Sequence, residues 1–156
     1  MNLIYRKASI TDIDILTKTR IQVLRAANKL DDSVDMTLVE QESFRYYQKA
    51  LCSDEHTAYL VFADETVVAT GGVSFYKVMP TYHNCSGTKA YIMNMYTHPD
   101  YRRKGIAMET LGLLVSEAKS RGVDFISLEA TAMGRHLYVK FGFIPMEDEM
   151  YLPKMC

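Results

Sequence analysis

The chain of 156 residues is sparing with cysteine, has no long apolar run and carries no excess of charge of either sign. Each shortage excludes something. Cys52, Cys85 and Cys156 are odd in number and widely spaced, and no CxxC pair occurs. Neither a disulfide framework nor a zinc or redox site is therefore expected. No local context activates one of them as a nucleophile, so buried or bystander thiols are the better reading. The longest strongly apolar run, Ala58 to Ala63, is far shorter than the roughly 20 residues that cross a bilayer. Met1 to Lys7 place charges where a signal peptide would have its apolar stretch. A soluble, cytoplasmic protein with no membrane partner is the expectation. Eighteen basic residues against nineteen acidic ones leave −1, which counts against a general nucleic-acid or membrane-surface binder. Repeats, low-complexity tracts and Pro/Gly/Ser-rich linkers are missing too, so one domain over residues 1–156 is expected.

What is present is an ordinary globular composition, 48% hydrophobic and 24% charged. At this length a chain buries roughly 68–70% of its unfolded surface and needs no metal or disulfide staple. Residues 3–7 read as a strand, and 11–26 as a helix with Ile13, Leu16, Ile21 and Leu24 on one face. Ser9 or Thr11 suits its cap. A second helix is expected over 36–51. Ala58–Phe62 and Val67–Val78 read as a hairpin around Ala63-Asp64-Glu65-Thr66, followed by a loop at 80–88. A strand over Lys89–Thr97 ends at Pro99, and the strongest helix spans Arg102–Gly122. A buried strand at Phe125–Glu129, a short helix at Gly134–Phe141 and a last strand at Met150–Leu152 complete the order. The unit 89–129 is a β-α-β crossover, hence parallel, while the strands over 57–97 are antiparallel. The fold class is thus α/β, a mixed sheet flanked by helices.

The segment Asn94-Met95-Tyr96-Thr97-His98-Pro99-Asp100-Tyr101-Arg102-Arg103-Lys104-Gly105-Ile106-Ala107 leads from a strand into that helix. Three cations where a helix opens oppose the helix dipole. An anion bound to the free N–H groups of the helix start would remove the conflict. Gly105 and Ala107 leave little bulk, so a ligand can approach the backbone. No GxxxxGK[ST] and no GxGxxG after an N-terminal strand are present, which excludes P-loop and Rossmann readings. A solvated basic turn is the plain alternative.

Arg102-x-x-Gly105-x-Ala107, preceded by Tyr96-Thr97-His98-Pro99, resembles the acyl-CoA-binding motif of the GNAT (Gcn5-related) N-acetyltransferases. Leu128 to Phe143, with Leu137-Tyr138-Val139-Lys140-Phe141-Gly142-Phe143 at its end, resembles that family's following strand, loop and short helix. Ile4 to Arg25 is similar to its first strand and helix. The resemblance implies a mostly antiparallel sheet with one parallel, splayed strand pair. It also implies acetyl-CoA as acyl donor, with its pantetheine arm in the splay, and transfer to a primary amine by direct attack. On it, the backbone of Met95, Tyr96 and Thr97 meets the pantetheine arm, and the amides of Arg103, Lys104, Gly105, Ile106 and Ala107 hold the pyrophosphate. Arg102 and Arg103 would add charge toward the 3′-phosphate. Thr131 stands near a family position that often holds an Asn contacting the cofactor. Tyr138 matches the tyrosine that acts as general acid, which suits a group protonated at neutral pH.

An amine acceptor must lose a proton, and Glu129 is the first candidate base, with His98 and His136 as others and Asn94 able to position water. No metal and no covalent enzyme intermediate are expected. Asp31, Asp32, Asp35, Glu40 and Glu42 stand against one Lys29 over residues 28–42, an acidic lip that would draw a cationic acceptor such as a polyamine, an aminoglycoside-like amine or a lysine side chain. Homodimers are frequent among the members this chain resembles. A non-catalytic acyl-CoA sensor is the rival reading, and a nucleic-acid module is opposed by the near-neutral charge.

Overall fold

A computed structural model of the chain describes residues 2–155; Met1 and Cys156 lie outside the described residues. Nine regular elements run β1 (Leu3–Lys7), α1 (Ile13–Asn28), α2 (Thr37–Cys52), β2 (His56–Ala63), β3 (Thr66–Lys77), β4 (Thr88–Thr97), α3 (Ile106–Ser120), β5 (Ile126–Leu128) and α4 (Arg135–Phe141). The strands form one sheet in sequence order. Every neighbouring pair is antiparallel except β4 with β5, which is parallel.

The strand alternation expected from the sequence sorts β2 between two layers. Ala58 and Leu60 pack with Leu16 of α1 and Tyr47 of α2, whereas Val61 and Ala63 join Ile106 at the start of α3. On the α3 side the largest core unites Val73, Ile92, Leu111, Leu114 and Ala118, all at most 2% exposed. Burying each leucine or isoleucine there contributes about 1.5–3 kcal/mol relative to exposure. Helices α1 and α2 thus cover one face and α3 the other.

Most boundaries agree with the sequence reading, and the differences have physical causes. The first helix is preceded by a 3₁₀ turn at Ile10–Asp12, in which the Asp12 carboxylate accepts from the Ser9 N–H at 2.9 Å. The strongest helix begins at Ile106 rather than Arg102, because Arg103 and Gly105 hold positive φ (62° and 81°) that no α-helix tolerates. The three cations therefore precede the helix instead of opening it. The strand expected at Met150–Leu152 is not formed. Met150, Tyr151 and Leu152 are 86–93% exposed, with no neighbouring strand to satisfy their backbone.

The decisive local feature lies in β4. Its pairing with β3 runs in register to Gly72↔Met93 and resumes at Thr70↔Tyr96, so three steps on β4 oppose two on β3. The extra residue is a β-bulge at Asn94, whose φ is 59°. Asparagine tolerates this left-handed conformation better than most residues. The bulge resets the alternation: Ile92 and Met95, three apart, both pack toward α3, while Met93 and Asn94 line a cavity on the other face.

Gly71 faces the bulge and has no room for a side chain. A Cβ there would lie 2.7 Å from Met95 Sδ, 2.8 Å from Thr110 Cγ2 and 3.0 Å from Leu114 Cδ1. Gly71→Ala is expected to destabilise by about 1–3 kcal/mol through overpacking. Urea denaturation measures this, and an unchanged midpoint would show that the bulge is not tightly packed on α3.

Candidate active site

Beyond the bulge β4 and β5 part company. Their pairing covers only Ala90↔Ile126, Tyr91↔Ser127 and Ile92↔Leu128. Between the diverging ends lies a cleft of about 360 Å³. Its walls are β4 from Ile92 to Thr97, α1 at Arg20, Val23, Leu24 and Ala27, and the segment Glu129–Tyr138. Met95, Tyr96, Thr97, Arg102, Ala107, Glu129, Thr131 and Tyr138, all singled out from the sequence, meet in this one cleft. Arg103, Lys104 and Gly105 form the adjoining exposed loop, and the Ile106 side chain turns into the core.

The loop's backbone sets out a row of donors without protein acceptors among the described residues. Pro99 opens a 3₁₀ turn, His98 Nδ1 accepts from the Asp100 N–H at 3.2 Å, and Arg102 Nε donates to the Thr97 carbonyl at 3.0 Å. These contacts fix the chain's exit from β4. The following N–H groups, from Arg103 to Met108, then have no protein acceptor among the described residues. The left-handed residues Arg103 and Gly105 alternate with others, the backbone pattern that turns successive N–H groups into one concavity. Those donors, the start of α3 and the nearby cations fit a pyrophosphate. No side chain caps α3, and Gly105 takes the cap position with a φ that disfavours any residue bearing a Cβ.

Tyr138 projects from α4 with its ring edge-on to Phe143 at 6.1 Å and over Gly134, where a Cβ would approach Tyr138 Cε2 to 3.2 Å. The ring is 9% exposed and its hydroxyl has no protein partner among the described residues. Burial raises its pKa above the usual tyrosine value, so it stays protonated at neutral pH. Thr131 fastens the turn that leads into α4: its Oγ1 accepts from the Gly134 N–H at 3.1 Å. Glu129 is exposed on the cleft wall, one residue beyond β5. His98 is committed to its turn, and His136 is exposed outside the cleft lining, so neither converges on Tyr138.

A second cavity, about 260 Å³, lies behind the bulge and shares Arg20, Met93 and Asn94 with the first. Sequence reasoning did not single it out. Arg20 Nη1 donates to Asn94 Oδ1 at 3.1 Å, and Asn94 Nδ2 reaches Tyr47 Oη at 3.5 Å. His56 Nδ1 lies 2.9 Å from Tyr46 Oη and 3.1 Å from Ser74 Oγ, while its buried Nε2 has no partner. Gly72 makes this possible, because a Cβ there would stand 2.8 Å from His56 Nε2. Two signals were available: Arg20 falls at i+4 from Leu16 and i−4 from Leu24, within the apolar stripe, and Gly71-Gly72 interrupts an otherwise β-rich run.

The acidic stretch over 28–42 proves largely occupied with its own backbone. Asp31 accepts from Ser33, Asp35 from the N–H and hydroxyl of Thr37, and Glu42 pairs with Arg45 at 2.7 Å.

Residues 25–143 match the model of the Acetyltransferase (GNAT) family. The chain belongs to that family. No curated protein matches the sequence. Among solved structures, the acetyl-CoA complex of a predicted acetyltransferase from Clostridium acetobutylicum is 34% identical, with a TM-score of 0.89 and coverage of 97% of this chain and 96% of that one. A GCN5-related N-acetyltransferase from Ralstonia eutropha shares the fold at 23% identity and TM-score 0.85, covering 98% and 99%. Glucosamine-6-phosphate N-acetyltransferase from Arabidopsis thaliana does so at 19% and 0.70, covering 98% and 99%. This GNAT chain has no helix among its described residues long and apolar enough to cross a membrane.

Burial, and secondarily the charge of Arg20, lowers the His56 pKa from 6.5 to about 4. The folded state then binds fewer protons than the unfolded one between these values. Stability from this group is complete above pH 6.5 and is lost as pH falls toward 4, by about 3 kcal/mol. Stability profiles of the wild type and His56→Gln measured by denaturation should converge by that amount over this interval. Parallel profiles would refute the assignment.

Proposed function

We propose that residues 1–156 act as one acetyltransferase domain that moves acetyl from acetyl-CoA to a primary amine of a small molecule or peptide. The observation that carries this is the unpartnered N–H run from Arg103 to Met108 beside a cleft that ends at Tyr138. The Clostridium acetobutylicum relative, solved with acetyl-CoA, supports the same donor.

The backbone amides of Arg103, Lys104, Gly105, Ile106 and Ala107 would hold the pyrophosphate, with Arg102 and Arg103 supplying charge. The free edge of Met95, Tyr96 and Thr97, released by the bulge, would hold the pantetheine arm. When bound, the donor supplies a thioester carbonyl open to attack by an amine. In the net reaction the N–C bond forms, the C–S bond breaks and the amine's proton is returned to sulfur. Glu129, on the wall of the same cleft, is assigned proton removal from the arriving ammonium, directly or through water. Tyr138 Oη, still protonated and without a protein partner, is assigned proton delivery to the leaving sulfur.

Release of free thiol from acetyl-CoA across a library of amines, amino acids and peptides tests the reading. Tyr138→Phe should lower kcat by about a hundredfold or more with CoA affinity retained, and Glu129→Gln should lower kcat/KM by a comparable factor. Full turnover in Tyr138→Phe would remove the acid role. Tight CoA binding with no acetylated acceptor would replace the enzyme by a sensor.

A further inference from the structure

We propose that the cavity behind the bulge is the acceptor subsite, and that Arg20 selects there an amine whose own molecule carries a carboxylate, an amino acid with an apolar side chain being the simplest example. This deepens the transferase reading and rests on it. Arg20 is half-buried and lines both cavities, so a carboxylate held by it would lie where the two adjoin at the bulge. Its single protein hydrogen bond is to the neutral Asn94 amide, and no carboxylate lies within 4.0 Å of it among the described residues. The acid nearest by placement, Glu42, is held by Arg45.

A guanidinium has five donors in a planar fork. Here one is used, and removing such a charge from water without an opposing one is costly. A carboxylate accepts two parallel hydrogen bonds from the same fork and resolves both problems. Val39, Tyr46, Tyr47, Met93 and the edge of His56 give the lining an apolar side that suits an apolar side chain, beside the polar Glu42, Ser43 and Ser74. A polyamine, by contrast, would bring a second ammonium against Arg20. Of the aspartates and glutamates of 28–42 only Glu42 lines this cavity, and it pairs with Arg45.

The test compares phenylalanine and methionine with their carboxamides and with spermidine as acceptors. The carboxamides have the more easily deprotonated amine, so chemistry alone favours them. The amino acids are nevertheless expected to exceed the carboxamides in kcat/KM by about tenfold or more, the size of a charge-assisted hydrogen bond. Arg20→Gln should erase that difference by raising KM for the acids alone, and Arg20→Lys should restore part of it. Circular dichroism and thermal melts verify that both variants fold. Carboxamides or spermidine equal to the amino acids would overturn the inference while leaving the transferase reading intact. If no amine is acetylated, that reading falls, and calorimetry of phenylalanine with CoA-saturated protein still decides the subsite. Binding that weakens at least tenfold in Arg20→Gln supports it, and absent or unchanged binding overturns it.

Discussion

A β-strand offers alternate side chains to opposite faces, and its N–H and C=O groups are normally consumed by its neighbours. In β4 both regularities stop at Asn94, whose left-handed backbone inserts one residue against β3. From there the strand turns away from β5, so the backbone of Met95, Tyr96 and Thr97 keeps a free edge on the side where a parallel partner would have been. A positive φ at a non-glycine residue costs about 1–2 kcal/mol and persists where its surroundings hold it. Here the Asn94 side chain is gripped by Arg20 of α1 and Tyr47 of α2. Gly71 and Gly72 clear both faces of β3 beneath it. The two helices that cover the sheet are therefore also what keeps the cleft open.

The loop before α3 inherits its position from the same strand. Arg102 folds back to the Thr97 carbonyl and His98 fastens the turn at Asp100, so the loop leaves the end of β4 in a fixed direction. The N–H run that follows points away from any acceptor the protein supplies. Unmade backbone hydrogen bonds are unfavourable unless water or a ligand completes them. Exposed beside the cleft, they are open to completion by water or, in the proposed function, by a phosphate-bearing molecule. The near-zero net charge of the chain is no obstacle to the proposed pyrophosphate site, which would use a local cluster of cations and amide dipoles.

The fold was largely legible from the sequence. Periodicity in Leu16 to Leu24 and in Leu111 to Ala118, the turn at Asp64-Glu65 and the stop at Pro99 are local signals, and they located elements to within a few residues. The loop from His98 to Ala107 was legible as a unit because its signals sit in consecutive residues. The second cavity was not, since it unites Arg20, Tyr46, His56, Ser74 and Asn94 from five elements, and only strand register brings them together. The expected strand at Met150–Leu152 failed for a related reason. An apolar triplet specifies a strand only when the sheet offers it an edge to pair with, and composition alone does not reveal that.

The charges along the two cavities divide the work between them. Arg20, Glu42, Arg102 and Glu129 are the charged side chains that line either cavity near the bulge. Glu42 is neutralised by Arg45, and Arg102 is tied to the loop it supports. The neighbouring titratable groups are held neutral at ordinary pH: burial keeps Tyr138 and Tyr47 protonated and His56 unprotonated. Arg20, Arg102 and Glu129 thus remain charged with no ionic partner among the described residues, Arg102 being held to the Thr97 carbonyl. Arg20 belongs to both cavities and Glu129 to the cleft alone, so in the proposed function holding an acceptor and taking its proton would fall to different groups.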